Sequence, residues 1–203
     1  MLESIKKAVR YLMRRLAGGL NTISSGRLSP NTVTITGLLA HLPIAWLISQ
    51  QRYILAAVLL IVFGLFDTLD GELARLQKRD NPIGMLLDSS TDRMKEIFVY
   101  SGVAYAFVAA SRPYLAVWAV LACGASLLVS YTNAWGEVVL SKTGYRGQVN
   151  RAFRGGIMSF EIRMVTLIAG LLSGYLALGI VVIAILSWVT AIQRLIGISN
   201  RLK

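Results

Sequence analysis

The chain alternates between long apolar runs and short polar joints. Residues 28–51, 113–136 and 164–193 contain no Asp, Glu, Lys or Arg, and a fourth run, Y-I-L-A-A-V-L-L-I-V-F-G-L-F at 53–66, ends directly on an aspartate. About 20 apolar residues suffice for a helix to cross the hydrocarbon core of a bilayer. The pattern predicts six transmembrane helices, near 31–50, 53–77, 84–110, 113–139, 157–173 and 175–197. The last two share one uncharged run, which as a single helix would be about 45 Å long. Ser173-Gly174 interrupts it, and Arg194, Arg201 and Lys203 follow it. Two spans return those charges to the side where the other loops place theirs. Ahead of the first span, Leu2, Ile5, Val9, Leu12, Met13 and Leu16 recur at helical spacing, with Lys6, Lys7, Arg10, Arg14 and Arg15 mostly elsewhere. This predicts an amphipathic interfacial helix over 1–18, ended by Gly18, Gly19 and the S-S-G-R-L-S-P-N segment. The expected fold is an all-α integral membrane protein: one domain over 1–203, with a six-helix catalytic region at 31–197.

Composition agrees with a membrane protein. Of 203 residues, 55% are hydrophobic and 15% charged, and the mean hydropathy is +0.61. The net charge of +11, from 21 Lys and Arg against 10 Asp and Glu, would suggest nucleic acid in a soluble protein. Here the positive-inside rule accounts for it, and no nucleic-acid partner is expected. One side of the predicted topology holds the N-terminal cations, Arg27, Lys78, Arg79, Lys142, Arg146, Arg151, Arg154 and the C-terminal charges. The other side holds Arg52 and Arg112. Both termini should therefore be cytoplasmic, in the plasma membrane. Cys123 lies within an apolar run and reads as a core thiol. His41, in the middle of the first span, reads as a packing histidine. Gly170 and Gly174 stand at small-xxx-small spacing, a pattern that permits close helix approach.

The candidate chemistry lies in D-T-L-D-G-E-L-A-R-L-Q-K-R-D-N-P-I-G-M-L-L-D-S-S-T-D, residues 67–92. An ionised aspartate near hydrocarbon costs roughly 2.5–3.5 kcal/mol on the gentler scales. Four together must be wet, paired or cation-bound. Asp67 and Asp70 share a face at i, i+3, and Asp88 and Asp92 share one at i, i+4 on the next helix. With Asn81-Pro82 as the breaker between, an antiparallel pair brings all four carboxylates together at the cytoplasmic end. Hard oxygen ligands at this density suit Mg²⁺ or Mn²⁺, and two ions would neutralise a diphosphate and its leaving group together. Gly71 and Ala74 leave bare backbone beside the acidic face, and Arg75 stands at its edge, able to fork onto a phosphate. The alternative use of such a cluster is a cation-transport site. Those usually lie near the bilayer midplane and in repeated halves, and no second acidic half is present.

The spacing Asp67-x2-Asp70-Gly71-x2-Ala74-Arg75-x8-Gly84-x3-Asp88-x3-Asp92 resembles the signature of the CDP-alcohol phosphotransferases at every fixed position. The six-helix layout is similar as well. The resemblance implies transfer of a phosphatidyl-type group from a CDP-linked lipid to the hydroxyl of a small polar alcohol, with release of CMP. By that resemblance Asp67, Asp70 and Asp88 are metal ligands, and Asp92 is the general base, near a metal itself. Gly71, Ala74, Arg75 and Gly84, with Asp67, would line the cytidine-diphosphate site. Pro30-Asn31-Thr32-x-Thr34 resembles the family's entry to the first helix and adds Asn31 and Thr34. The family resemblance also implies a homodimer. For the acceptor, Arg154, Arg163 and Arg194 are candidate anion ligands. The Gln193-Arg194-Leu195 ending is similar to the phosphatidylinositol-phosphate synthase branch. That branch carries Ser-Tyr-x-Lys-Ala-Arg late in the fourth helix, where this chain has Ser130-Tyr131-Thr132-Asn133-Ala134-Trp135. Inositol phosphate, glycerol phosphate and serine all stay open as acceptors, as do diacyl and archaeal ether-linked donors.

Overall fold

Proline and polar caps set four of the helix starts. In the computed structural model, which describes residues 2–79, 81–143 and 156–202, there are eight helices and no strand among the described residues. They are α1 (Leu2–Ile23), α2 (Pro30–Ser49), α3 (Tyr53–Gly64), α4 (Phe66–Gln77), α5 (Pro82–Ala109), α6 (Pro113–Lys142), α7 (Phe160–Ser173) and α8 (Leu176–Leu202). Pro30, Pro82 and Pro113 occupy the first turns of α2, α5 and α6, where a missing N–H costs nothing. The Asn81 side chain caps α5 by accepting from Gly84 N at 2.7 Å, and Ser159 caps α7 through Ile162 N at 3.4 Å. Gly174, at φ 78°, ends α7 in the left-handed conformation that glycine adopts without penalty.

Among the described residues, four segments are long and apolar enough to cross a membrane: Pro30–Ser49, Tyr53–Gln77, Pro113–Lys142 and Leu176–Leu202. The second joins α3 and α4, which meet at Leu65 with only a slight change of backbone (φ −76°, ψ −16°). Helix α5 carries Asp88, Asp92, Arg93, Lys95 and Glu96 between its start and its midpoint region, and α7 has 14 residues. Neither reaches the apolar length of a span by itself.

The main core joins Ile44 and Ile48 of α2 to Leu60 of α3, Val99, Tyr100 and Val103 of α5, Ala119 and Ala122 of α6, Leu167 and Leu171 of α7, and Ile180 and Ile183 of α8. The α2–α5 and α6–α8 pairs are the most extensive. At the first of these Gly102 faces the Ala45 carbonyl so closely that a β-carbon would overlap it. Gly102→Ala should therefore lower the unfolding midpoint in detergent, by about 1–3 kcal/mol of stability. An unchanged midpoint would mean that α2 and α5 separate freely.

Two expectations need correction. The N-terminal helix does not stop at Gly18 and Gly19 but continues to Ile23, and turns at Ser25 and Gly26, both at positive φ. Two helical glycines cost about 1 kcal/mol each against alanine. Burial offsets this cost, because Met13 and Ala17 pack with Val33, Leu69 and Leu73 in a second cluster, flanked by Val9 and Leu20. Tyr11, Leu12, Leu16 and Ile23 stay exposed. The apolar face of α1 is thus divided, part against α4 and part outward. The pairing of Gly170 with Gly174 also gives way. A β-carbon on Gly170 would lie 3.2 Å from Leu176 Cα, and one on Gly179 would lie 3.7 Å from Gly170 Cα. The close approach of α7 and α8 is made by Gly170 and Gly179, while Gly174 serves the turn.

Candidate active site at the acidic helix pair

Helix α4 is anchored by Leu69 and Leu73, one turn apart and both buried against α1 and Val33. This fixes the rotation of the helix and turns Asp67 and Asp70 toward α5. One carboxylate oxygen each from Asp67, Asp70 and Asp88 lie within 4.8 Å of one another. Asp70 is 5% exposed. Its Oδ2 lies 2.6 Å from the Thr34 hydroxyl, and Thr34 itself sits on the first turns of α2. Asp88 Oδ1 is buried and has no hydrogen-bond partner. A buried carboxylate oxygen left bare among two other carboxylates is a poor arrangement for a protein and a good one for a hard cation. The three residues fit Mg²⁺ or Mn²⁺.

Asp92 stands beside this triad. Lys95 Nζ donates to Asp92 Oδ1 at 3.3 Å and also to Asp67 Oδ1. The Lys95 side chain is 4% exposed. Asp92 Oδ2 lies 3.8 Å from Arg93 Nη2. All four aspartates therefore converge, three as a potential ion cage and the fourth through a lysine that the sequence reading did not single out.

The residues assigned to the nucleotide form two local groups near this centre. Gly71 lies under the Arg75 guanidinium: a β-carbon there would stand 3.6 Å from Nη2. Arg75 Nη2 donates to Glu72 Oε1 at 2.7 Å, with Arg10 Nε 3.8 Å from the same oxygen. A β-carbon on Gly84 would lie 3.8 Å from Asn31 Oδ1. Asn31 of α2 and Gly84 of α5 are thus neighbours, and the half-buried Ala74 is on α4 one turn beyond Asp70.

A cavity of about 1160 Å³ opens beside the centre, reaching Thr68 and Ser89, the residues next to Asp67 and Asp88. Arg93, Arg163, Arg194, Lys7 and Arg10 contribute its positive charge, which outweighs the carboxylates of Glu137 and Glu161 in the same lining, and Ser130 and Asn133 are its neutral donors. Arg194 Nη1 donates to the Val129 carbonyl at 3.3 Å. Arg93 donates to the Ser130 hydroxyl. Arg163 is held in a buried network. Its Nε and Nη2 lie 3.1 and 3.0 Å from Glu96 Oε1, and its Nη1 donates to the Met158 carbonyl at 3.0 Å. Ser126 donates to the same Glu96 oxygen at 2.5 Å, and Arg93 Nη1 lies 3.4 Å from Glu96 Oε2. Both guanidinium groups stand against the Phe160 ring, 5.4 and 5.9 Å from its centroid. Arg154 lies outside the described residues. His41, 5% exposed, contacts the Gly37 carbonyl through Nδ1 at 2.7 Å, as a packing histidine does.

Arg93, Lys95 and Glu96 were missed by the sequence reading. Their signal was present: ionisable groups beyond the motif, one to four residues further along a helix bound for the membrane interior.

A bundle of apolar helices with a carboxylate ion cage beside a basic cavity defines a metal-dependent membrane enzyme. Residues 27–196 match the CDP-alcohol phosphatidyltransferase family. The archaetidylinositol phosphate synthase of Pyrococcus horikoshii is 31% identical over 205 residues, covering 100% of this chain and 99% of that protein. The crystal structure of Mycobacterium tuberculosis phosphatidylinositol phosphate synthase with CDP-DAG bound aligns with a TM-score of 0.78 at 26% identity, over 93% of this chain and 94% of that one. The same enzyme in complex with manganese and citrate gives 0.77 at 27% identity, over 93% and 89%. The chain belongs to the CDP-alcohol phosphatidyltransferase family, and it is a transferase of phospholipid biosynthesis. The cation-transport reading of the acidic cluster is set aside by this membership.

Proposed function

We propose that the enzyme transfers a phosphatidyl-type group from a CDP-linked lipid to a hydroxyl of a small phosphorylated alcohol, with inositol phosphate as the leading acceptor. The observation that carries this reading is the basic cavity opening directly beside the acidic centre, at Thr68 and Ser89. A phosphate monoester needs charge-assisted donors, and Arg93 and Arg194 of the cavity wall supply them. Arg154 and Arg163 complete the set of candidate acceptor ligands, Arg163 already fixed by Glu96. The names of the relatives, archaetidylinositol phosphate and phosphatidylinositol phosphate synthases, favour the same acceptor. Asn133 stands where that branch has its lysine, and it lines the cavity. Trp135 stands where it has its arginine, so both basic residues of that branch are absent here, and the positive charge nearest to them comes from Arg93 of α5, held through Ser130. Glycerol phosphate satisfies the same donors. Serine offers no phosphate to them and is disfavoured.

In this reading Asp67, Asp70 and Asp88 hold Mg²⁺ or Mn²⁺, which offsets the charge of the donor diphosphate. Asn31, Thr34, Gly71, Ala74, Arg75 and Gly84 line the cytidine-diphosphate site. Asp92 takes the proton from the acceptor hydroxyl. The hydroxyl oxygen bonds to the lipid-bearing phosphorus as the phosphoanhydride bond breaks, and CMP leaves. Lys95 fixes the orientation of Asp92 for this role. Six crossings, with α3 and α4 counted as one and α5 and α7 sheltered among their neighbours, put both termini and the site on the cytoplasmic side of the plasma membrane. The outward residues of α1 rest in the interface, and two copies form a homodimer, as the resemblance implies.

The acceptor assignment is tested by Arg194→Gln. The KM for inositol phosphate should rise roughly tenfold or more, the loss of one charge-assisted contact of about 1.5–3 kcal/mol, with the KM for the CDP-lipid unchanged. Equal effects on both substrates would remove Arg194 from the acceptor pocket.

A further inference from the structure

We infer that this chain holds one divalent ion, not two, and that the Lys95 ammonium permanently fills the second cation position, between Asp67 and Asp92. The inference rests on the metal-centre reading above and refines its count. Asp67, Asp70 and Asp88 form one cage, with an orphaned oxygen at Asp88. A second ion would have to draw on Asp92 together with an oxygen of Asp67, about 2.0–2.1 Å from each for Mg²⁺. Lys95 Nζ already occupies that gap. It donates to Asp67 Oδ1 and to Asp92 Oδ1, at 3.3 Å from the latter.

The ammonium cannot step aside without loss. Lys95 is 3% exposed, and it reaches the gap from one turn along α5, beneath Asp92. Of the other carboxylates on that stretch of α5, Asp88 belongs to the ion cage, and Glu96 is taken by Arg163, Ser126 and Arg93. A displaced ammonium would be left buried and unpaired, while one that stayed would repel an incoming divalent ion. The site thus substitutes a fixed monovalent charge for a second exchangeable ion. It also makes Lys95 a positioning residue, one that holds Asp92 and one oxygen of Asp67 in place before any metal arrives.

Manganese stoichiometry decides the matter without reference to turnover. The purified chain in detergent is saturated with Mn²⁺ and dialysed to equilibrium. The bound metal is counted, and its electron paramagnetic resonance spectrum recorded. One Mn²⁺ per chain is expected, with no spin–spin broadening from a second ion a few Å away, and Asp70→Asn should weaken that binding. Lys95→Ala, which opens the gap and removes the charge, should bind two, with the broadened spectrum. Lys95→Met serves the same purpose if the alanine variant does not fold, and Lys95→Arg should return the count to one. Two ions in the unaltered chain, or one in both the Lys95→Ala and Lys95→Met variants, would overturn the inference and leave the metal-centre reading standing. No bound manganese in any folded variant would overturn both.

Discussion

Asp92→Asn is expected to abolish most CMP release, by about 10²–10⁴-fold, the usual contribution of a positioned general base. The substitution keeps the shape of the side chain, and its oxygen still accepts from Lys95, which lies 3.3 Å from Asp92 Oδ1. What it removes is the capacity to take a proton from the acceptor hydroxyl. Asp92 is outside the three-carboxylate cage, so Mn²⁺ binding and CDP-lipid binding should persist in the variant. The two readouts must therefore part: turnover falls while the metal titration holds. If Asp92→Asn turns over normally, the base is another group. If it loses metal along with activity, Asp92 is a ligand before it is a base.

The second large effect concerns stability. Glu96 and Arg163 are each 1% exposed and face one another within the bundle. Glu96→Leu removes the negative partner and strands the guanidinium, which keeps the Met158 carbonyl and the face of Phe160 among the described residues. Breaking a buried pair in this way costs about 3–5 kcal/mol. A large fall in the unfolding midpoint in detergent is expected. Glu96→Leu combined with Arg163→Met should recover most of it, because an apolar pair of similar volume carries no desolvation cost. A single variant as stable as the unaltered chain would mean that water or lipid headgroups reach the guanidinium, and that the pair is not buried in solution.

The same pair shows where a sequence stops being legible. The four aspartates could be read directly, since helical spacing is local and the turn at Asn81-Pro82 folds one pair onto the other. Helix boundaries for the apolar runs followed for the same reason: Pro30, Pro82 and Pro113 mark them in the sequence itself. Glu96 and Arg163 are 67 positions apart, and nothing local distinguishes Arg163 from an ordinary positive-inside charge near a helix end. Only the packing of α7 near α5 gives it a partner. Lys95 is a related case. A lysine three residues after an aspartate suggests an intrahelical ion pair. Its second bond, to Asp67, depends on the rotation of α4, which Leu69 and Leu73 set by burial against α1. The length of α1 was likewise settled by tertiary contacts that outweigh two unfavourable glycines.

The measurement that bears most directly on the proposed function is CMP release from a CDP-linked lipid, diacyl and ether-linked donors in parallel, by the purified chain. Inositol phosphate, glycerol phosphate, serine and inositol are offered separately, with and without Mn²⁺ or Mg²⁺. Release that requires both the divalent ion and a phosphorylated acceptor, greatest with inositol phosphate, is the expected result. Release that proceeds equally with serine or unphosphorylated inositol, or that continues after chelation of the metal, would contradict it.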